Sequence, residues 1–371
     1  MENQINRLIA DICEEGLRRG VFSAVSALVS VYKGNEYRRA VYSGGMTRTD
    51  GSAVSVNTST YFDLASLTKP LCTTLCTLAL LQQKLLSWDE SCLLHLQTDL
   101  PSEKKAVTCR RILHHSSGLP AYQPYFSQFI PQSSSENKIT LQKLILKEPL
   151  LYEPDSRCLY SDLGFILLGQ VIEKITDLTL DQFYRTTVLE PLHLENSIIF
   201  SPAQGGKSDA KIQTAATELC MWRHMIMDGE VHDEHCWLMG GVCGHAGLFG
   251  NIWAVGRLCE LLLDCWQART VHPAFSKALL RYALEWSDNR SSWRLGFDTP
   301  TPGQSSSGRY LSPNSVGHLG FTGTSFWIDP EQEMIIILLT NRVHPSRENV
   351  KIRNYRPFFH DQVIEGLRRK Q

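Results

Sequence analysis

The sequence lacks an apolar run of the ~18 residues that a membrane-spanning helix requires. Its first 15 residues form an amphipathic, acid-containing pattern, without the basic start and continuous apolar stretch of a signal peptide. The formal net charge of -1 gives no bias toward nucleic acid or membrane surfaces. We therefore expect a cytoplasmic protein with no nucleic-acid or membrane partner.

The sequence also lacks any Cys-x-x-Cys pair, which argues against a structural zinc site or a redox motif. Eleven cysteines are present, and an odd number excludes a complete set of intramolecular disulfides. Cys72, Cys76, Cys259 and Cys265 fall at apolar positions of helical patterns, where a free thiol behaves as a small hydrophobe. We therefore expect reduced thiols in a reducing compartment.

The apolar patterning places strands at both chain ends. Residues 21–32 and 37–42 alternate around a turn at 33–35, which predicts a hairpin. Near the other end, 320–328 and 334–340 are two β-rich runs around a turn at 329–332, and 355–369 is an amphipathic helix. Helical patterns occupy most of the middle: 71–86, 141–147, 163–175, 179–189, 254–267 and 274–285.

This order predicts an α+β fold, with one antiparallel sheet made from both chain ends and flanked by terminal helices. A mainly helical lobe is inserted in the middle. We expect one catalytic domain over 1–371, divided into an α/β lobe (about 1–66 plus 286–371) and a helical lobe (about 67–285). A cleft between such lobes is a common place for a small-molecule site.

Ser66 and Lys69 lie three residues apart at the start of the predicted helix 71–86. Residues at this spacing share one helix face, so the lysine amine can reach the serine hydroxyl and activate it as a nucleophile. The positive potential of a helix N-terminus favours the neutral amine. The spacing alone is weak, because four other Ser-x-x-Lys pairs occur in polar or strand-like stretches, and an ordinary N-cap with a solvated lysine is the alternative interpretation.

Five stretches extend the signal beyond this pair. They are 62–70 (FDLASLTKP), 112–120 (ILHHSSGLP), 160–169 (YSDLGFILLG), 241–249 (GVCGHAGLF) and 317–324 (GHLGFTGT). In order and spacing the chain from about residue 20 to 360 resembles the serine β-lactamase and penicillin-binding-protein-like family. The branch is the one that holds class C β-lactamases, D-aminopeptidase and D-alanyl carboxypeptidase relatives, and β-lactamase-like carboxylesterases. The resemblance implies a β-lactamase/transpeptidase-like fold, an acyl-enzyme mechanism and no cofactor.

The resemblance also implies roles for single residues. Ser66 is the acylated nucleophile and Lys69 its proton partner. Tyr160 shuttles the proton, with a phenol pKa lowered by neighbouring cations; the alternative for Tyr160 is an aromatic of the core. Asp162 stands where many relatives have asparagine, so it can pair with Lys69 but offers the substrate no amide donor.

His318 and Gly320 occupy the place of the family's Lys-Thr-Gly element on the strand that lines the cleft. A neutral histidine favours carboxylate-bearing substrates less than a lysine does, and a core histidine is the alternative. Gly320 would let the substrate approach the strand backbone. The oxyanion hole would consist of the backbone N–H groups of Ser66 and Phe321, and His245 completes the predicted substrate-binding residues.

His232, His235 and His245 have spacings compatible with zinc. Because the family needs no metal, we expect them to shape a loop or the cleft wall, and we predict no metal site. His114 and His115 are expected to be structural, at a helix end.

The sequence therefore predicts a serine hydrolase that acts through an acyl-enzyme on a small ester or amide. A D-amino-acid peptidase or carboxypeptidase and a weak β-lactamase remain alternatives, since they share this chemistry. An idle relative that only binds a ligand or partner is an alternative of another class. The sequence does not indicate the oligomeric state.

Overall fold

A computed structural model describes residues 2–200, 202, 212–288 and 290–369, with side chains from residue 4 onward. The strands are β1 (Ala24–Lys33), β2 (Glu36–Gly45), β3 (Phe62–Asp63), β4 (Ile198–Phe200), β5 (Leu219–Cys220), β6 (Met225–Ile226), β7 (Leu248–Gly250), β8 (Val316–Leu319), β9 (Ser325–Asp329) and β10 (Met334–Thr340). The helices are α1 (Glu2–Arg18), α2 (Leu75–Gln82), α3 (Ser102–Lys105), α4 (Cys109–Leu113), α5 (Ser135–Lys147), α6 (Asp162–Thr176), α7 (Leu180–Tyr184), α8 (Glu234–Leu238), α9 (Ile252–Trp266), α10 (Lys277–Glu285) and α11 (Ile352–Arg368). Two π-helical turns, Lys69–Thr74 and Arg185–Leu189, extend α2 at its start and α7 at its end.

The main sheet has five antiparallel strands in the order β2-β1-β10-β9-β8. The chain ends meet at its centre, where Leu28 of β1 pairs with Ile337 of β10. The β1–β2 hairpin turns at Gly34 and Asn35, whose positive φ angles match the twist of the strands they join. The predicted α+β architecture, with a sheet built from both chain ends, is confirmed.

Burial explains the place of β10 in the sheet. All seven residues of Met334–Thr340 are buried, because helices cover both faces of the sheet. On one face Ile337 and Leu28 join the large core, and Gly256 lets α9 approach the side chain of Leu28 closely. On the other face Ile336 packs with residues of α1 and α11.

The predicted strand 320–328 is wrong in one respect. The chain turns between β8 and β9, and Gly323 has a φ of 108° that other residues rarely adopt. The hydroxyls of Thr322 and Thr324 donate to the carbonyl oxygens of Asp63 and Leu64, which draws the turn away from a straight strand. This turn brings the end of β8 against the segment that carries Ser66.

No helix of the described ranges is long and apolar enough to cross a bilayer. All eleven cysteines fall within those ranges. Each is a free thiol, and all except Cys158 are buried.

Candidate active site

Ser66 lies on a short 3-10 turn, Ala65–Leu67, between β3 and the π-helical turn. The Asp63 carboxylate accepts the backbone N–H of Ala65 at 2.8 Å, and the Thr68 hydroxyl donates to the Ala65 carbonyl at 2.7 Å. Ala65 has a φ of 48°, which is uncommon for a residue with a side chain and costs about 1–3 kcal/mol. These hydrogen bonds hold the turn in a conformation that the chain would not adopt on its own.

Gly320 belongs to the same support. A Cβ atom on Gly320 would lie 2.8 Å from the carbonyl oxygen of Leu64 and 2.0 Å from the hydroxyl of Thr324. The glycine therefore lets the β8–β9 turn pack directly against the Ser66 turn. This is a packing reason for glycine, in addition to the access for substrate that the sequence suggested.

Three predicted catalytic side chains meet at one oxygen atom. Lys69 Nζ donates to Ser66 Oγ at 3.0 Å, and the Tyr160 hydroxyl donates to the same Oγ at 2.8 Å. Tyr160 comes from the segment that leads into α6, 94 residues further along the chain than Ser66. Both neighbours are hydrogen-bond donors to the serine in this resting arrangement.

Lys69 is fully buried and carries its charge because of Asp162. Asp162 Oδ1 lies 2.7 Å from Lys69 Nζ, and the His245 carbonyl oxygen accepts a hydrogen bond from that Nζ at 3.0 Å. Burial lowers the pKa of Lys69, but Asp162 and then Tyr160 outweigh it, so the pKa lies above its ordinary value. The prediction that the Lys69 amine loses its proton easily is therefore wrong for the resting site.

Burial raises the pKa of Tyr160 to about 12, although the Lys69 ammonium pulls in the opposite direction and Asp162 adds to the rise. The prediction that cations lower this pKa is correct only for the effect of Lys69 and wrong for the net shift. The resting tyrosine is a neutral phenol. One proton must leave the Tyr160–Lys69 pair before either residue can accept the proton of Ser66.

A comparison with known proteins bears directly on this arrangement. The family model described as Beta-lactamase matches residues 6–357, which is nearly the whole chain. The chain belongs to the beta-lactamase family. It is a serine hydrolase of that family, related to penicillin-binding proteins.

Relatives of the beta-lactamase family member match most of its length. A "Putative D-alanyl-D-alanine carboxypeptidase" of Salmonella typhi is 32% identical over 322 residues, covering 81% of this chain and 73% of the relative. EstCE1, a hydrolase with promiscuous acyltransferase activity, superposes with a TM-score of 0.75 at 19% identity, covering 98% of this chain and 99% of its own. The octameric penicillin-binding protein homologue from Pyrococcus abyssi has a TM-score of 0.72 at 19% identity, covering 98% and 77%. The two structures support the β-lactamase/transpeptidase-like fold.

His318 of this beta-lactamase family member is buried at the end of the sheet nearest Ser66. Its Nδ1 lies 2.8 Å from the Leu319 carbonyl oxygen, which assigns the N–H to Nδ1 and leaves Nε2 as an acceptor. Nε2 has no hydrogen-bond partner among the described residues. Burial, together with the Lys69 charge, lowers the pKa of His318 to about 3. The imidazole is therefore neutral near pH 7.

Phe321 is half exposed beside this strand. Its ring stacks on His232 at 5.5 Å, and the Arg342 guanidinium lies 4.4 Å from the ring centroid. Arg342 is occupied by backbone carbonyl oxygens, including that of Phe321. Arg347 pairs with two carboxylates. Phe321 is thus an exposed apolar surface near cations that already have partners.

His245 has a different place from the predicted substrate contact. Its side chain is 2% exposed and pairs with Asp233 at 2.7 Å. Only the backbone carbonyl oxygen of His245 takes part in the site, where it accepts a hydrogen bond from Lys69 Nζ. The other two histidines also have separate partners: His232 lies 3.0 Å from Glu218 and His235 3.3 Å from the Phe126 N–H.

Two aromatic neighbours of the site were missed by sequence reasoning. His115 packs 4.6 Å from the Tyr160 ring, and Trp293 contacts the rings of Tyr160 and His318 at 5.3 and 5.5 Å. His115 was expected to be structural, and nothing in the local pattern marks Trp293. The carboxylate of Asp63 was also missed, although its position inside the Ser66 stretch was a usable signal.

Proposed function

We propose that this beta-lactamase family member hydrolyses small esters or amides that carry no carboxylate next to the scissile bond. The observation that carries the proposal is the pair of hydrogen bonds that converge on Ser66 Oγ from Lys69 and Tyr160. This arrangement is what a serine nucleophile requires when no histidine serves as its base.

The steps follow from the geometry. With one proton lost from the Tyr160–Lys69 pair, Ser66 Oγ attacks the acyl carbon and its proton passes to that pair. The oxyanion is stabilised by the proposed N–H groups of Ser66 and Phe321. The pair then protonates the leaving alcohol or amine, and an acyl-enzyme remains at Ser66. Water attacks the acyl carbon with the same pair as base, which releases the acid and restores the serine.

Charge is the basis for the proposed substrate preference. The predicted contacts include a neutral His318 that accepts a hydrogen bond and an Asp162 that carries negative charge. Neither favours a substrate carboxylate. The exposed Phe321 ring suits an apolar acyl or alcohol group.

A D-alanyl-D-alanine carboxypeptidase is the second candidate. It is favoured by the relatives that share 32% identity over most of the chain. Its substrate ends in a carboxylate, so the two candidates make opposite demands on His318.

The test compares kcat/KM for p-nitrophenyl acetate, a cephalosporin and a D-Ala-D-Ala peptide on one preparation. We expect kcat/KM to be highest for the ester. The substitution His318→Lys should reduce the difference in kcat/KM between the ester and the two substrates that carry a carboxylate, whereas His318→Gln should not. A strong preference for the peptide or cephalosporin by the unchanged protein contradicts the proposal.

A fluorophosphonate probe followed by peptide mapping checks the nucleophile. Labelling of Ser66 supports it, and no labelling by any acylating probe favours the idle relative.

The reducing cytoplasm is the proposed compartment, supported by eleven unpaired cysteines. Soluble esters, amides or short peptides are then the available substrates. The assignment is checked by cell fractionation, in which recovery with envelope markers would contradict it.

A further inference from the structure

Three side chains of metal-binding types meet beside the active site. They are His114 after α4, Cys158 two residues before Tyr160, and Asp288 after α10. Their ligand atoms all lie within 4.8 Å of one another. Among the described residues, this is the one group of three or more His, Cys, Asp or Glu side chains with such close ligand atoms. No step of the proposed mechanism uses them.

The distances within this cluster are specific. His114 Nε2 lies 3.4 Å from Asp288 Oδ1 and 3.6 Å from Cys158 Sγ. The hydroxyl of Ser291 lies 3.3 Å from the same Nε2. Tetrahedral Zn²⁺, with bonds of about 2.0–2.3 Å, separates its ligand atoms by about 3.3–3.6 Å. The separations measured from His114 Nε2 therefore match those in a zinc coordination sphere, and the Cys158–Asp288 separation is at most 4.8 Å.

We propose that His114, Cys158 and Asp288 bind one Zn²⁺ ion, with a water or the Ser291 hydroxyl in the fourth position. One imidazole, one thiolate and one carboxylate suit zinc better than magnesium or calcium, which prefer oxygen ligands alone. Binding replaces the proton of the Cys158 thiol, which passes to solvent.

The surroundings fit such a site. His114 is fully buried with its ring against Trp286 at 4.4 Å, whereas Asp288 keeps 15% of its side chain exposed and Cys158 is partly exposed. An ion can therefore enter from the Cys158–Asp288 side. Arg290 donates from its side chain to Asp288 Oδ2 at 2.7 Å and from its backbone N–H to Oδ1 at 3.0 Å, and these two bonds orient the carboxylate with Oδ1 near the histidine.

The ion would add a link between three chain segments. Two of them are already joined by hydrogen bonds, from the Leu159 N–H to the His115 carbonyl oxygen at 2.8 Å and from the Ser161 N–H to His115 Nδ1 at 3.1 Å. One of them leads directly to Tyr160, and another contains His115, which packs on the Tyr160 ring. The site would thus act as a structural clamp for the tyrosine, without contact to the substrate. The proposal departs from the expectation of no metal site, which considered His232, His235 and His245.

The experiment titrates the full-length protein, freed of metal by a chelator, with Zn²⁺ alone in a calorimeter. We expect one ion per chain at micromolar affinity or better, and a loss of ~100-fold or more in Cys158→Ser and His114→Gln. Cys92→Ser is the matched control, because it removes a buried thiol outside the cluster and should keep the affinity.

Two further readouts use the unchanged protein and do not depend on activity. Co²⁺ should give the visible bands of a tetrahedral ion and a thiolate charge-transfer band, and Zn²⁺ should protect Cys158 from alkylation, mapped by mass spectrometry. Absence of zinc binding, an octahedral cobalt spectrum or unprotected Cys158 overturns the proposal. Equal affinity in Cys158→Ser would do the same. Failure of these tests leaves the acyl-enzyme proposal untouched, because the probe at Ser66 reports separately.

Discussion

Replacing Asp162 by asparagine should make acylation of Ser66 effective at lower pH. Asp162 lies 2.7 Å from the fully buried Lys69 Nζ and raises the pKa of both Lys69 and Tyr160. Asparagine keeps the shape and removes the charge. The pair that must lose a proton before it can act as base will then lose it more readily.

The magnitude follows from the contact. An opposite charge at this distance shifts a pKa by roughly 1–3 units, and Asp162 is mostly shielded from water with 22% of its side chain exposed. We therefore expect the alkaline rise of kcat/KM to move down by about one unit or more, with about a tenfold gain per unit on that rising limb. The gain will be smaller than the shift implies, because a weaker base transfers protons less well.

The assay is the pH profile of kcat/KM for p-nitrophenyl acetate, corrected for spontaneous hydrolysis. Glu36→Gln is the matched control, since it removes one carboxylate from β2 at the opposite edge of the sheet from β8. The reasoning would be refuted if the alkaline rise of kcat/KM stayed at the same pH or moved to higher pH. Activity lost at every pH would show that Asp162 does more than supply charge.

The substitution Asp162→Asn should also lower the free energy of unfolding. The folded pKa of Lys69 is raised, so the ion pair contributes stability that is complete below the unfolded value of about 10.4 and is lost as pH rises through the folded value. Breaking a buried pair costs about 3–5 kcal/mol, and less here because Asp162 is partly exposed. Thermal melts should therefore show the largest deficit near neutral pH.

Three further predictions test other parts of the site. Tyr160→Phe should slow acylation by ~10²-fold or more in stopped-flow measurements, and an unchanged rate would place the proton path elsewhere. Gly320→Ala should cost about 1–3 kcal/mol in thermal unfolding because its Cβ meets the Leu64 carbonyl, whereas Gly51→Ala, with open space around it, should be nearly neutral. Thiol titration should count eleven free cysteines after denaturation without reductant and show Cys158 reacting first in the native protein freed of metal; several disulfides would contradict this.

Much of the fold was predictable because strand and helix periods are local. The alternating run before Lys33 and the apolar run to Thr340 predicted the central strands, and the order of the elements predicted one sheet from both chain ends, but not which strands pair. The β8–β9 turn was missed because Phe321, Thr322 and Thr324 are residues typical of strands. Hydrogen bonds to Asp63 and Leu64, which decide the turn, come from residues about 260 positions away.

The side chains that meet at Ser66 were predictable as a set, but their protonation states were not. Proximity of Lys69 to Tyr160 suggested a lowered phenol pKa, whereas burial dominates and raises it. Burial depends on the packing of the whole chain, so no local pattern reports it. The cluster of His114, Cys158 and Asp288 is hidden for the same reason, since no sequence spacing joins its members. The division into two lobes and the oxyanion hole stay predictions.

The pairing of β1 with β10 fixes when the enzyme can become active during its synthesis. Leu28 emerges from the ribosome about three hundred residues before its partner Ile337. For most of that time the nascent chain holds only the β1–β2 hairpin of the main sheet, because β8, β9 and the turn between them that supports Ser66 are made shortly before Ile337. Because chains are made at about 5–20 residues per second, this delay lasts tens of seconds. The support around Ser66 is thus completed only when translation is nearly finished.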